Sequence, residues 1–204
     1  SLIGHEGTGS LLALLKQQGL ATGLSSGGYA ITNDYGAFSI NVDLTPKGLK
    51  NYREVVRLSL SYVALLEKEP YPSYYFGELK SIAQLDEIYS NKGEGTGYAS
   101  RMVGQVADYP LAVAERVSYI FDREDPPAYR QLLSFLRPEN MIATLMAQGV
   151  EATDTEPYYG TQYSFTEDDA FYEQLLEVIP DPALPLPAAN PFVPRQATIP
   201  DRSQ

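Results

Sequence analysis

The sequence predicts an α+β fold in which helices gather on one face of a mostly antiparallel sheet. Three observations lead there. In residues 37–44, Phe38, Ile40, Val42 and Leu44 alternate with Ala37, Ser39, Asn41 and Asp43, the period-two signature of a strand with one buried face. Leu49, Tyr52, Val56, Leu60, Val63 and Leu66 recur at spacings of three and four, the apolar stripe of a long helix. Residues 141–147 are an apolar run almost free of charge, the pattern of a buried strand. Helix, two strands, a block of helices and a further strand make a layered α+β domain. Three strands are few for so many helices, so more strands are expected before Ser1.

Each element has a local reason. Residues 10–18 are strong helix formers with Gly19 at the C-terminal glycine position, and Thr8 or Ser10 can cap the start. Residues 20–30 are small and glycine-rich, a weak edge strand or a loop whose missing side chains let another backbone approach. Asn33, Asp34 and Gly36 supply a turn that would make 20–30 and 35–44 antiparallel neighbours. Thr45-Pro46 opens the long helix, threonine as cap and proline in the first turn, and Pro70 and Pro72 end it. A further helix over about 73–89 carries Phe76, Leu79, Ile82 and Leu85 on one side. Residues 91–97 read as a loop, followed by helices near 98–108, 111–122 and 126–136 and a turn at 138–140. Residues 150–165 are polar and aromatic, 166–178 suit one more helix, and 180–204 form a proline-rich connector. A domain over residues 1–150 and a connector over 151–204, leading into a following domain, are therefore expected.

Composition narrows the function. A hydrophobic share of 44% with 20% charged residues suits a soluble globular core. A net charge of −11 with no basic cluster argues against nucleic-acid partners, which are held by Lys and Arg on phosphates. No apolar run approaches the length of a membrane span. The absence of cysteine removes disulfides, thiolate metal sites and cysteine nucleophiles. Ser1 opens an apolar, glycine-studded phrase, as expected of a chain cut from a longer polypeptide.

His5-Glu6 invites a zinc reading. Zinc peptidase motifs need two histidines on one helical face, yet the chain has one histidine, and Ser1 and Gly9 stand four residues to either side. No metal site and no catalytic residue is therefore expected here. Ser25-Ser26-Gly27-Gly28 lacks the lysine of a phosphate loop. The pairs Glu124-Asp125 and Asp168-Asp169 read as solvated surface. Several of the 16 tyrosines, Tyr71, Tyr74, Tyr75, Tyr158 and Tyr159, cluster beside prolines and read as cover for core edges. The residues alone describe a binding or structural module.

The opening phrase, residues 2–12 (Leu-Ile-Gly-His-Glu-Gly-Thr-Gly-Ser-Leu-Leu), leads into a helix that ends at Gly19. It is followed in order by Ile40-Asn41-Val42-Asp43-Leu44-Thr45 with Gly48-Leu49, Gly97-Tyr98-Ala99-Ser100, Leu136-Arg137-Pro138-Glu139-Asn140, Tyr159-Gly160-Thr161-Gln162-Tyr163 and Asn190-Pro191-Phe192-Val193-Pro194. Collinear over nearly the whole chain, these phrases resemble the second domain of the pitrilysin/insulysin zinc metallopeptidases and its passage into the third. That resemblance implies four related α+β domains forming two bowls around a chamber, with Zn2+ bound by H-x-x-E-H in the first domain only. This chain would then be an inactive, chamber-lining part whose partners are peptide substrates and the other domains of the same polypeptide. It also implies an exosite that anchors the substrate's N-terminal end by β-strand addition. By position the exosite is Leu24, Ser25, Ser26, Gly27 and Gly28, with Gly4 and Glu6 nearby, Glu6 meeting the α-ammonium group. The alternative is a scaffold domain of an inactive relative, as in processing-peptidase or respiratory core subunits. A pitrilysin-like parent implies the periplasm and an insulysin-like one the cytoplasm. Lacking the domain's first strands, the chain would expose unpaired edges and self-associate.

Overall fold

The helix-forming run after the glycine-rich opening becomes α1 (Leu11–Gln17), capped by Ser10, whose Oγ accepts from Ala13 N at 3.1 Å. Gly19 takes the left-handed conformation (φ 69°) that lets the chain turn out of the helix into β1 (Ala21–Ala30). This computed structural model describes residues 1–32, 34–90 and 95–194. β1 pairs antiparallel with β2 (Gly36–Leu44), in a register running from Ala21 opposite Leu44 to Ala30 opposite Gly36. A bulge falls between Ala21 and Gly23, so Thr22 is the extra residue. The hairpin closes through Ile31 N donating to Tyr35 O at 2.8 Å, while Thr32 Oγ1 accepts from Asp34 N and Tyr35 N. Asn33, expected in this turn, lies outside the described residues.

The helix expected from Thr45 onward is two helices. α2 (Pro46–Lys50) is capped by Thr45, whose Oγ1 accepts from Gly48 N at 2.9 Å and donates to Gly19 O at 2.7 Å. Asn51, at φ −121° and ψ 32°, breaks the path before α3 (Tyr52–Lys68). α3 buries Val55, Leu58, Tyr62, Val63, Leu65 and Leu66, and α1 packs against both β1 and α3. Leu11, Leu12, Leu15, Leu58 and Tyr62 are almost wholly excluded from solvent. Each such side chain stabilises by about 1.5–3 kcal/mol, so this small cluster is the centre of the core.

By contact density the chain divides into two units, the first formed by Ser1–Pro70 with Pro127–Ala188. Besides the elements above it holds most of α7 (Pro126–Leu133), a two-stranded antiparallel pair β3 (Asp154–Thr155) and β4 (Gln162–Tyr163), and α8 (Asp169–Leu176). Asp168 caps α8 by accepting from Phe171 N at 3.1 Å and also meets Arg53 of α3, whose guanidinium lies 5.4 Å from the Phe171 ring centre. The second unit holds Tyr71–Pro126 with the residues from Ala189 onward. It contains α4 (Ser73–Tyr89), α5 (Gly95–Asp108) and α6 (Leu111–Ala114). Phe76 and Phe121 stack edge to face at 6.0 Å, and Arg116 pairs with Glu87. Among the described residues, Ala83 and Ala114 are the buried hydrophobic residues of this unit, so its core there is thin.

The fold is α+β with antiparallel strands, as expected, but three local expectations need correction. Residues 141–147 form no strand: Ile142 and Met146 are 86% and 90% exposed. A strand exists through its ladder, and among the described residues nothing pairs with this run. The helix expected over 111–122 ends at Ala114 and continues only as a 3-10 turn at Val117–Tyr119. Leu111 stays 77% exposed, so little burial supports a longer helix. Residues 95–97, read as the end of a loop, are the first turn of α5, and the short β3–β4 pair falls within the polar, aromatic stretch 150–165. Residues 91–94 of the expected loop and 195–204 of the expected connector lie outside the described residues.

Candidate functional site

β1 and β2 are the whole of their sheet among the described residues, so the side of β1 away from β2 is an open edge. The phase of its backbone groups follows from the hydrogen bonds at the two ends. Ile31 N donates to Tyr35 O, and Thr45 N donates to Leu20 O at 3.0 Å. In an antiparallel ladder, residues alternate between bonding the partner strand and facing away. Counting inward from both ends, across the bulge at Thr22, gives one answer. Gly23, Ser25, Gly27 and Tyr29 bond β2, and Leu24, Ser26 and Gly28 turn their N–H and C=O groups to the open edge.

The opening loop borders that edge. Leu2 and Ile3 are buried and pin the loop to the core, while His5 N donates to Leu2 O at 3.2 Å. Gly7 N donates to His5 Nδ1 at 2.9 Å and Ser10 N to Gly7 O at 3.1 Å. His5 thus serves as a hydrogen-bond acceptor inside the loop, which places the proton of a neutral ring on Nε2. Gly4 lies against Ser26. A Cβ on Gly4 would stand 2.9 Å from Ser26 Oγ and 3.2 Å from Ser26 N, distances that leave room for hydrogen alone. Ser1 Oγ and Ser26 Oγ are 3.0 Å apart.

The structure therefore brings Gly4 and Ser26 together at the edge. Leu24 is buried beneath it and anchors the strand, and Ser25 is exposed. A Cβ on Gly27 would meet nothing within 4 Å, and Gly28 is exposed, so the edge beyond Ser26 is open. Glu6 is exposed, and among the described residues it makes no hydrogen bond or ion pair. Residue reasoning missed the hydroxyl pair of Ser1 and Ser26, for which serines 25 positions apart carry no signal. Among the described residues no group of three or more His, Cys, Asp or Glu could hold a metal ion. With one histidine, the residues of this chain do not fit a catalytic zinc. No helix of the described residues is long and apolar enough to cross a membrane.

Comparison with known proteins gives the chain its relatives. The chain is 31% identical over 194 residues to the A-factor-processing enzyme of Saccharomyces cerevisiae, covering 94% of the chain and 19% of that protein. It is 32% identical over 204 residues to the insulin-degrading enzyme of Homo sapiens, covering 97% of the chain and 20% of that protein. The crystal structure of pitrilysin superposes with a TM-score of 0.87 at 26% identity, covering 96% of this chain and 21% of that one. The chain thus spans about a fifth of the length of these relatives. Residues 1–82 match the family description "Peptidase M16 inactive domain" and residues 88–204 match "Middle or third domain of peptidase_M16". The two matches meet between residues 82 and 88, earlier in the chain than the change of composition near residue 150. The chain belongs to the peptidase M16 family, as a non-catalytic part of it that runs from the inactive domain into the middle one.

Proposed function

We propose that this chain is the substrate-holding part of a zinc-dependent metalloendopeptidase, anchoring the N-terminal end of a peptide along the open edge of β1. The observation that carries the reading is the set of outward N–H and C=O groups at Ser26 and Gly28, bordered by Gly4. An extended peptide can add as a third strand there, exchanging main-chain hydrogen bonds that are indifferent to its sequence. Gly4 borders the edge at Ser26, and Gly27 and Gly28 keep the approach beyond it clear. Glu6, exposed and without a partner among the described residues, offers a carboxylate to the peptide's α-ammonium group. The zinc and its water belong to another domain of the parent, and the role of this chain is to hold one end of the substrate so that a distant bond is presented for cleavage.

The test uses the full-length parent and a peptide long enough to reach both sites, with its N-terminus either free or acetylated. Gly28→Pro removes one outward donor while leaving the β1–β2 ladder intact. Loss of one such hydrogen bond is expected to raise KM for the free peptide about 3- to 10-fold. kcat should hold, because the bond is made equally in the ground and transition states. Glu6→Gln should raise KM for the free peptide and leave the acetylated one unaffected. Unchanged KM in both variants would refute the anchoring role.

A further inference from the structure

The stretch after α8, residues 179–188, is rich in proline, but it is held in place. Ser61, fully buried on α3, donates its Oγ to Ile179 O at 2.8 Å and accepts from Asp181 N at 2.7 Å. Asp181 turns the chain, its carboxylate accepting from Ala183 N and its carbonyl from Leu184 N, both at 2.9 Å. The same carboxylate lies 3.6 Å from Arg57 on α3. Leu184 is 3% exposed and Pro187 is buried, so the strap is nailed down at two further points.

Between those points the strap crosses the opening loop. At Gly9, with φ 83°, a Cβ would stand 3.1 Å from Pro185 Cγ and 3.3 Å from Leu186 O. The loop is thus closed from outside by the strap. From Gly9 inward it is a short relay of local bonds: Ser10 to Gly7, Gly7 to His5, and His5 to Leu2. Gly4 stands inside that relay, against Ser26. A loop with no regular ladder of its own keeps its shape through such outside contacts.

We infer that residues 179–188 are a positioning strap for the edge of β1, with Ser61, Pro185 and Gly9 as positioning residues that hold Gly4 and Glu6 where a peptide's N-terminal end must meet them. The inference rests on the anchoring role proposed above. None of the three need touch the peptide. They act by keeping the loop from swinging away from Ser26, so their loss lowers the affinity of the anchor and leaves the chemistry alone.

The experiment uses the full-length parent carrying Ser61→Ala, Pro185→Gly or Gly9→Val, with Gly28→Pro alongside. KM is measured for a long peptide with a free N-terminus and for a peptide too short to span from edge to zinc, and amide exchange is followed over residues 4–8. The strap variants should raise KM for the long peptide about fivefold, hold kcat, leave the short peptide within about twofold, and speed exchange at residues 4–8. A general loss of folding would instead lower turnover of both peptides alike. Pro185 is exposed, so Pro185→Gly keeps the question open to test if the buried Ser61 variant is poorly folded. If Gly28→Pro raises KM while all three strap variants leave it unchanged, the strap is overturned and the anchoring edge stands. If Gly28→Pro also has no effect, the anchoring role falls, and unchanged exchange at residues 4–8 would overturn the strap separately.

Discussion

Gly48 lies in the short helix α2, where a rule of thumb would recommend alanine, and the structure predicts the opposite outcome. In a helix, alanine is favoured over glycine by about 1 kcal/mol. A Cβ built on Gly48, however, would lie 2.8 Å from the Leu20 carbonyl carbon, 3.3 Å from Leu20 Cα and well inside the van der Waals shell of Leu20 O. Ordinary carbon–carbon contact begins near 3.5 Å, so α2 must retreat by roughly 1 Å. Both neighbours of the clash are backbone, so no side chain can swing aside. Retreat stretches Thr45 N to Leu20 O, now 3.0 Å, and Thr45 Oγ1 to Gly19 O, now 2.7 Å. Two hydrogen bonds at about 1 kcal/mol each and overpacking of about 1–3 kcal/mol, less the propensity gain, leave Gly48→Ala destabilised by about 2–4 kcal/mol. For a chain of this size the midpoint should fall by roughly 5–15 °C. Urea and thermal unfolding of the purified chain measure it directly. A Gly48→Ala protein as stable as the parent, or stabilised by the helix-propensity gain, would show that α2 does not pack on the strand in this way.

Other glycines should behave in the reverse manner. A Cβ on Gly77 in α4 or Gly104 in α5 would meet nothing within 4 Å, so Gly77→Ala and Gly104→Ala should each stabilise by about 0.5–1 kcal/mol in the same unfolding assay. Thr45→Ala removes the cap of α2 and its bond to Gly19 O, an expected loss of about 1–2 kcal/mol, with Thr45→Ser recovering most of it. Tyr75 has its pKa raised by burial first, then by Glu78 and Tyr74, and Tyr71 and Tyr74 are also raised, chiefly by burial. A raised folded-state pKa means this contribution is complete below the ordinary tyrosine range near pH 10 and is lost as pH rises through it. Unfolding of the chain between pH 9 and 12, followed by tyrosinate absorbance, should show alkaline destabilisation, reduced in Tyr75→Phe and reduced further when Tyr71 and Tyr74 are also replaced by Phe. The open β1 edge together with exposed Ile142 and Met146 predicts self-association of the isolated chain. Light scattering over a concentration series should show growth above monomer, and a clean monomer at all concentrations would count against it.

How much of this was legible depends on where the physical cause resides. β2 announces itself because its side chains alternate, and α1 and the helical stretch from Thr45 because cap, proline and stripe are all local, although the break at Asn51 that divides α2 from α3 carries no such signal. β1 is a strand by virtue of its partner: glycine and serine at 25–28 have no pattern of their own, and β2 supplies the ladder. The same logic failed at residues 141–147, where an apolar run has the composition of a buried strand but lacks a ladder among the described residues. Gly48 looks like an ordinary weak helix residue, because its close approach to Leu20 joins positions far apart in the chain. Ser61 likewise sits unremarked among the apolar residues of α3, although its hydroxyl bonds residues more than a hundred positions away. Gly4 and Ser26 were named by resemblance, and only the folded chain shows them touching.

The bulge at Thr22 gives the edge of β1 something like a reading frame. Every residue between Gly23 and Ala30 is assigned inward or outward by counting from the ends of the ladder, so identity matters less than parity. Thr22 is absorbed by the bulge and does not enter the count. Deleting it should leave the outward set at Leu24, Ser26 and Gly28 unchanged. Deleting Ser25 should shift the frame, turning a different set of amides to the edge and a different set of side chains to the core. Substitutions along 25–28 that keep the outward N–H groups are then mild, whereas proline at an outward position removes one donor and a single-residue deletion inside that stretch rewrites the whole edge.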